Sequence, residues 1–252
     1  MLKKIIKLSS AKFANLVGRI SGGKVTLAVS SQLYRIPEEV HLKKFFDHFD
    51  IDFVLDVGAN RGQYASMLRR IGYNGPIVSV EPTPDIAAHL RQISASDTNW
   101  FIEELALSDK QGETSFNIMS ESEFSSLNSP DNSEIDIFRS SNHVTRTVQV
   151  RVGTVAEMIE KYQSFLSFRR PFLKLDTQGS DLRVVVGAGN TICRFRGLQS
   201  ELSVIPIYKE APSYIEAIAY YESVGFKLSA LVPNNAGHFP DLVEIDCIMY
   251  RP

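Results

Sequence analysis

Residues 53–64 read Phe53-Val54-Leu55-Asp56-Val57-Gly58-Ala59-Asn60-Arg61-Gly62-Gln63-Tyr64. From Phe53 to Val57 the run is apolar except for Asp56. A short apolar run closed by a glycine is the pattern of a strand buried on both faces of a parallel sheet. Gly58 and Gly62 carry no Cβ, so the backbone here can approach a ligand closely. From Arg61 onward Tyr64, Met67, Leu68 and Ile71 recur at spacings of three and four, which predicts a helix with one apolar face. Strand, glycine turn and helix in this order open the doubly wound α/β folds, whose ligands sit beyond the carboxyl end of the first strand.

The composition of the turn narrows the ligand. Gly58-Ala59-Asn60-Arg61-Gly62 is not Gly-x-Gly-x-x-Gly, and no Gly-Lys-Ser/Thr follows it, so neither a nicotinamide dinucleotide nor a P-loop triphosphate is expected. Asp56 beside the first glycine would repel a pyrophosphate. It suits an ammonium group, such as that of the methionine part of S-adenosylmethionine. The next apolar run, Ile77-Val78-Ser79-Val80, ends in Glu81, where a carboxylate accepts hydrogen bonds from ribose hydroxyls. Either acid alone is an ordinary strand end. The two in register point to an adenosine-type ligand.

The chain has 252 residues, 44% hydrophobic and 22% charged, enough for one large α/β domain. A net charge of −2 speaks against a general nucleic-acid partner, because no overall positive field collects phosphates. Cys193 and Cys247 have neither metal-ligand nor disulfide-scaffold spacing; both fall in expected strands and read as small core residues. The chain shows neither a cleavable leader pattern nor 18 consecutive apolar residues, and a cytoplasmic location is expected.

Residues 1–20 have the pattern of a basic amphipathic helix. It suits a cover for the sheet or a homo-oligomer contact or, less well because Ser9 and Ser10 interrupt the pattern, peripheral contact with the inner, anionic membrane face. A second helix is expected over 37–50, opened by Pro37, Glu38 and Glu39. These form an N-terminal helical extension, 1–48, before a domain at 49–252 with an insertion at 113–152. Pro84 to Ser94 reads as a helix and Trp100 to Leu105 as the third strand. Ala106-Leu107-Ser108 is expected as a loop where an adenine ring would lie. Glu113–Met119 and Thr147–Val152 read as added strands around a serine-rich stretch, a lid or a disordered loop. Pro171 to Leu175 repeats the opening pattern: a strand closed by Asp176, then Gln178-Gly179 and a helix from Asp181. Gly197–Val204 is the next strand, carrying Glu201. A helix over 212–224 and strands starting at 225 and 242 complete the chain; the last two strands share a helix-free loop and are expected to be antiparallel.

Taken together, Val54-Leu55-Asp56-Val57-Gly58-Ala59-Asn60-Arg61-Gly62, Val80-Glu81-Pro82, Ala106-Leu107-Ser108-Asp109, Ser125-Ser126-Leu127, Phe172 to Gly179 and Leu198 to Leu202 resemble the FkbM family of S-adenosylmethionine-dependent methyltransferases. The resemblance covers roughly residues 50–205. It implies a Rossmann-like class I methyltransferase with a seven-stranded sheet, order 3-2-1-4-5-7-6, the seventh antiparallel. It also implies O-methylation of a hydroxyl on a sugar, glycan or natural product. The expected cofactor residues are Asp56, Gly58, Asn60, Gly62, Tyr64, Glu81, Pro82, Ala106, Leu107, Ser108, Asp176 and Gln178. Ser180 departs from the family, which places a bulky apolar residue there.

Methyl transfer to an alcohol needs a group to take the hydroxyl proton. Asp176 is the first candidate base, with Glu201 and His238 behind it. Asp176, Glu201 and Asp246 are hard oxygen donors that could gather a divalent cation, but spacing alone assigns no metal. Arg139, His143 and Arg146 are candidates to meet an anionic acceptor. The alternatives are a nucleic-acid methyltransferase on the same scaffold and a non-catalytic cofactor-binding module.

Overall fold

Phe53–Val57 forms a strand, β1, buried along its whole length. The computed structural model describes residue 20 and residues 36–119, 125–128, 143–205, 207–208, 211–233 and 240–252. The expected helix over 1–20 therefore lies outside the described residues, apart from Ile20, as do Phe124, Arg139, Asn234, Asn235 and His238.

Helix α1 (Ile36–Phe49) precedes β1. After it come α2 (Gln63–Arg70), β2 (Ile77–Val80), α3 (Pro84–Ser94), β3 (Trp100–Glu103), β4 (Ala106–Leu107), β5 (Gly112–Met119) and β6 (Val144–Gly153). The chain continues through α4 (Val155–Gln163), β7 (Pro171–Leu175), α5 (Asp181–Val186), a 3-10 turn (Gly189–Arg194), β8 (Gly197–Ser203), α6 (Tyr214–Ser223), β9 (Lys227–Pro233) and β10 (Glu244–Tyr250). The main sheet has the order β3-β2-β1-β7-β8-β10-β9. The first five strands run parallel, and β10 runs antiparallel to both β8 and β9. This is the expected order, with β10 slotted between β8 and β9, so among the described residues β9 is hydrogen-bonded to the sheet only through β10.

Side-chain alternation along each strand sorts the core into two layers. Phe53, Leu55 and Val57 point to one face, packed with Val155, Ile159, Val184 and Leu198. Val54 points to the other, with Phe172 and Ile248, and meets Leu42, Phe45 and Phe46 of α1 and Leu68 of α2. Phe172 is completely buried, with its ring 4.9 Å from that of Phe46 and 5.5 Å from that of Phe45. Burying one such side chain contributes roughly 2 kcal/mol. Residues 36–49, read from sequence as part of an extension, thus pack into the same core as the sheet.

A second sheet, β4-β6-β5, stands apart from the first. Its hairpin is longer than expected: β6 begins at Val144, three residues before the predicted start. Ala106 and Leu107 are not a loop; they pair in parallel with Val152 and Gly153. Helix α2 starts at Gln63 rather than Arg61, because Asn60 and Gly62 take left-handed backbone angles (φ 44° and 80°) that a right-handed helix excludes. Cys247 is buried in β10 as expected, but Cys193 is exposed in the 3-10 turn, not in a strand. Among the described residues no helix is long and apolar enough to cross a membrane.

Candidate active site

On the face toward α1 and α2, the apolar alternation turns polar at one edge. Asp56 follows Val54 on β1; Lys174 follows Phe172 on β7; Gln199 and Glu201 take the same face of β8; Asp246 precedes Ile248 on β10. Because β10 is antiparallel, its first residues reach the edge where the parallel strands end. All these groups therefore converge at the carboxyl edge of the sheet, the ligand-binding edge of doubly wound folds.

The turn after β1 is set by contacts within the protein. A Cβ on Gly58 (φ 79°) would stand 1.9 Å from the carbonyl oxygen of Asp176. On Gly62 it would meet Leu90, Ile93 and Trp100 at 2.9–3.0 Å. The two glycines thus admit the end of β7, the side chains of α3 and the Trp100 ring. The amides of Gly58 and Ala59 donate to the carbonyl of Val80 at 3.0 and 3.1 Å, holding the turn against β2.

Glu81 accepts the Asn60 amide at 3.0 Å and the Thr83 amide at 2.9 Å, one on each carboxylate oxygen. Burial raises its pKa, while these amides oppose the shift. Pro82 beside it is buried. The Thr83 hydroxyl, also buried, lies close enough to favour the Glu81 charge yet has no partner at hydrogen-bond geometry. Asp56 is 1% exposed and accepts from the Ser79 hydroxyl at 2.9 Å, which in turn accepts from the Trp100 indole at 2.9 Å. Burial pushes the Asp56 carboxyl up to about 7, against the pull of Ser79 and Lys174. Ala106 and Leu107 bury their side chains in two apolar clusters. Ser108 donates its hydroxyl to Asp109, which Arg183 also pairs.

The other half of the edge is organised by Lys174 and two glutamines. The Lys174 ammonium is buried, donates to the Leu175 carbonyl at 2.9 Å, and lies 3.7 Å from Asp176 and 3.9 Å from Asp246. Burial alone would lower its pKa, but Asp176 and Asp246 outweigh burial and carry it upward. Gln178 (φ 53°) donates Nε2 to Asp176 at 2.9 Å and to Glu201 at 2.7 Å, and accepts the Tyr208 phenol at 2.8 Å. Gln199 repeats the arrangement: Nε2 donates to Glu38 at 2.7 Å and to Asp246 at 2.8 Å, and Oε1 accepts the Tyr64 phenol at 3.0 Å. Burial, with Asp176 second, holds Glu201 well above the usual carboxylate range; burial and Asp176 likewise push Glu244 up to about 8.

The turn after β7 is braced from both sides. Asp181 accepts the Thr177 amide at 2.8 Å, the Thr177 hydroxyl at 2.5 Å and the Ser200 hydroxyl at 2.6 Å. Ser180, the departure from the family pattern, is 1% exposed and accepts from Asn128 at 3.0 Å. A small residue there admits Asn128, whose Nδ2 also donates to the Gln178 carbonyl at 3.2 Å, while Ser126 donates to that carbonyl at 2.8 Å. The described part of the serine-rich insertion is therefore bonded to the turn.

The structure thus brings together Asp56, Glu81, Asp176, Gln178 and Glu201 with Tyr64. His238 lies outside the described residues. Lys174, Gln199, Tyr208 and Glu38 were not among the site residues expected from the sequence. Only the polar interruption of the strand run at Lys174 signalled anything, because a lysine inside an apolar strand is costly unless paired. Among the described residues no group of three His, Cys, Asp or Glu side chains is disposed to hold a metal. The Gln178 amide lies between Asp176 and Glu201, and the Lys174 ammonium between Asp176 and Asp246, where a shared cation would have to sit. Arg146 pairs with Asp85 at 3.0 Å.

The half around β1 and β2 fits the adenosine and amino-acid parts of S-adenosylmethionine. Glu81 keeps lone pairs beyond its two amide bonds, and the unmatched Thr83 hydroxyl beside it offers a further group to a ribose. The acids Asp56 and Asp176 suit the positive charges of the methionine part. Residues 56–228 match the family model described as the methyltransferase FkbM domain. Among solved structures, Aeropyrum pernix fibrillarin with bound S-adenosyl-L-methionine is similar at TM-score 0.43 and 15% identity, over 78% of this chain and 66% of that one. An rRNA methylase from Streptococcus thermophilus is similar at 0.43 and 10%, over 85% and 94%, and the mitomycin 7-O-methyltransferase MmcR at 0.42 and 13%, over 86% and 54%. Among curated proteins, no sequence match was found. The chain belongs to the FkbM methyltransferase family, and it is an S-adenosylmethionine-dependent methyltransferase.

Proposed function

We propose that the chain methylates a hydroxyl oxygen of a sugar, glycan or related natural product, with Asp176 as the general base. The observation behind this reading is the setting of Asp176. Its side chain is 37% exposed, while Asp56, Glu81 and Asp246 around it are buried. It stands between the half of the edge that fits the cofactor and the half lined by Glu201 and Gln199. When bound, the cofactor supplies an electrophilic methyl carbon on a sulfonium. The chain's part would be to hold an acceptor oxygen in line with that carbon and to take the hydroxyl proton. Asp176 receives the proton. The Lys174 ammonium lies 3.7 Å from it and the Gln178 amide donates to it at 2.9 Å, which orients the carboxyl toward the acceptor. Glu201 stands second in line through the shared amide. Acids and neutral amides predominate in this half, which suits a neutral polyhydroxyl acceptor better than a nucleic-acid backbone. We read the protein as cytoplasmic, consistent with its two free cysteines.

The test is transfer of labelled methyl from S-adenosylmethionine to a panel of neutral mono- and disaccharides by wild type and Asp176→Asn. S-adenosylhomocysteine affinity is measured separately by calorimetry. Loss of transfer with affinity retained supports the base; normal transfer by Asp176→Asn removes it. Transfer to none of the sugars, but to an RNA, selects the nucleic-acid reading.

A further inference from the structure

The geometry points to Gln178 as a positioning residue that joins Asp176 and Glu201 into one unit and fixes the direction in which Asp176 faces the acceptor. This rests on the reading of Asp176 as the base.

An amide nitrogen carries two hydrogens, and here each has a carboxylate: Asp176 Oδ1 at 2.9 Å and Glu201 Oε2 at 2.7 Å. The amide oxygen accepts the Tyr208 phenol at 2.8 Å. Rotating the amide by half a turn would aim its oxygen at two carboxylates and its nitrogen at the phenol, so the network permits one orientation. The backbone is fixed as firmly. Gln178 has a left-handed φ of 53°, a conformation costly for a side-chain-bearing residue. Its carbonyl is gripped by Ser126 and Asn128. A residue held from five directions in a strained conformation, between two acids at the sheet edge, is placed more firmly than packing requires.

Without the amide, Asp176 and Glu201 become neighbouring carboxylates in a partly buried site. Like charges so placed compete for one proton. The groups facing the pair sharpen the competition: among the described residues Lys174 is the one cation, against Asp246, Glu244, Asp181, Asp56 and Glu81, with the neutral Tyr208 phenol alongside. Gln178 therefore holds the two acids apart on separate hydrogens of one amide and fixes the direction in which the Asp176 carboxyl faces. Gln199, completely buried, uses the same arrangement to tie α1 to β8 and β10. Gln178 is the copy of the device at the open edge.

The experiment is carboxyl carbon-13 NMR titration of Asp- and Glu-labelled protein saturated with S-adenosylhomocysteine. Wild type, Gln178→Leu and Tyr208→Phe are compared, with Asp176→Asn and Glu201→Gln to assign the two resonances. In Gln178→Leu the two signals should titrate as a coupled pair, each curve showing two inflections more than about one pH unit apart. Tyr208→Phe, which frees the amide oxygen, should move the curves the same way by less. Wild-type curves for both acids in Gln178→Leu overturn the inference. If that variant does not fold, unmoved curves in Tyr208→Phe overturn it. The readout needs no acceptor, so it separates from the base assignment: loss of methyl transfer in Asp176→Asn alongside unmoved NMR curves would leave the base standing and remove Gln178.

Discussion

Gly58→Ala tests how the turn after β1 couples to the candidate base. The new methyl would stand 1.9 Å from the Asp176 carbonyl oxygen, and Cβ atoms essentially never approach within 3.0 Å. The end of β7 must therefore retreat by about 1.1 Å, a displacement on the scale that costs misplaced catalytic groups about 100-fold in rate. The same retreat strains the bond from the Asp176 amide to the Val57 carbonyl, now 3.0 Å, at about 1 kcal/mol. Alanine at φ 79° adds about 1–2 kcal/mol. We expect a loss of roughly 2–3 kcal/mol in urea unfolding, within the range for a strained backbone position. Methyl transfer should fall about 100-fold while S-adenosylhomocysteine still binds the folded fraction. Full activity with unchanged stability would show that the ends of β1 and β7 do not close on each other as described.

Three further outcomes follow from single residues. Asp56 and Glu244 have raised folded-state pKa values, about 7 and about 8, so the folded chain binds more protons than the unfolded chain between pH 4 and 8. Stability should therefore rise as pH falls from 8 toward 5, by about 1 kcal/mol or more per group, and Asp56→Asn should flatten that slope in pH-dependent urea unfolding. Glu81→Gln turns an amide donor toward the Asn60 or Thr83 amide, so calorimetry should show S-adenosylhomocysteine binding weakened at least about tenfold. Thr154 and Glu157 form a reciprocal cap on α4; Thr154→Ala should cost about 1 kcal/mol of stability in urea unfolding.

Strand-closing acids carried most of the fold into view before any coordinates. Asp56, Glu81 and Asp176 each end an apolar run, and an apolar run with a polar stop is a local pattern. The hairpin start and the pairing of Ala106 with Val152 were less visible, since pairing to a distant strand leaves little local mark. The roles of Gln178 and Gln199 were illegible for a different reason. Each amide bridges carboxylates up to 161 residues away, and its orientation depends on a tyrosine that no spacing predicts. Asp181 read as a helix-opening acid, but its bonds to Thr177 and Ser200 appear only once β7 and β8 lie side by side.

The late strand β10 has a consequence for how the protein is made. During synthesis β9 leaves the ribosome before β10, its neighbour in the sheet, has been translated, so the edge that β10 later covers is unsatisfied. That nascent strand carries Leu228 and Leu231, apolar side chains that stay partly exposed even after folding. A stalled or clipped chain lacking β10 would thus present a sticky ribbon to other chains, and it would also lack Asp246 and Glu244. Incomplete molecules should be prone to clump.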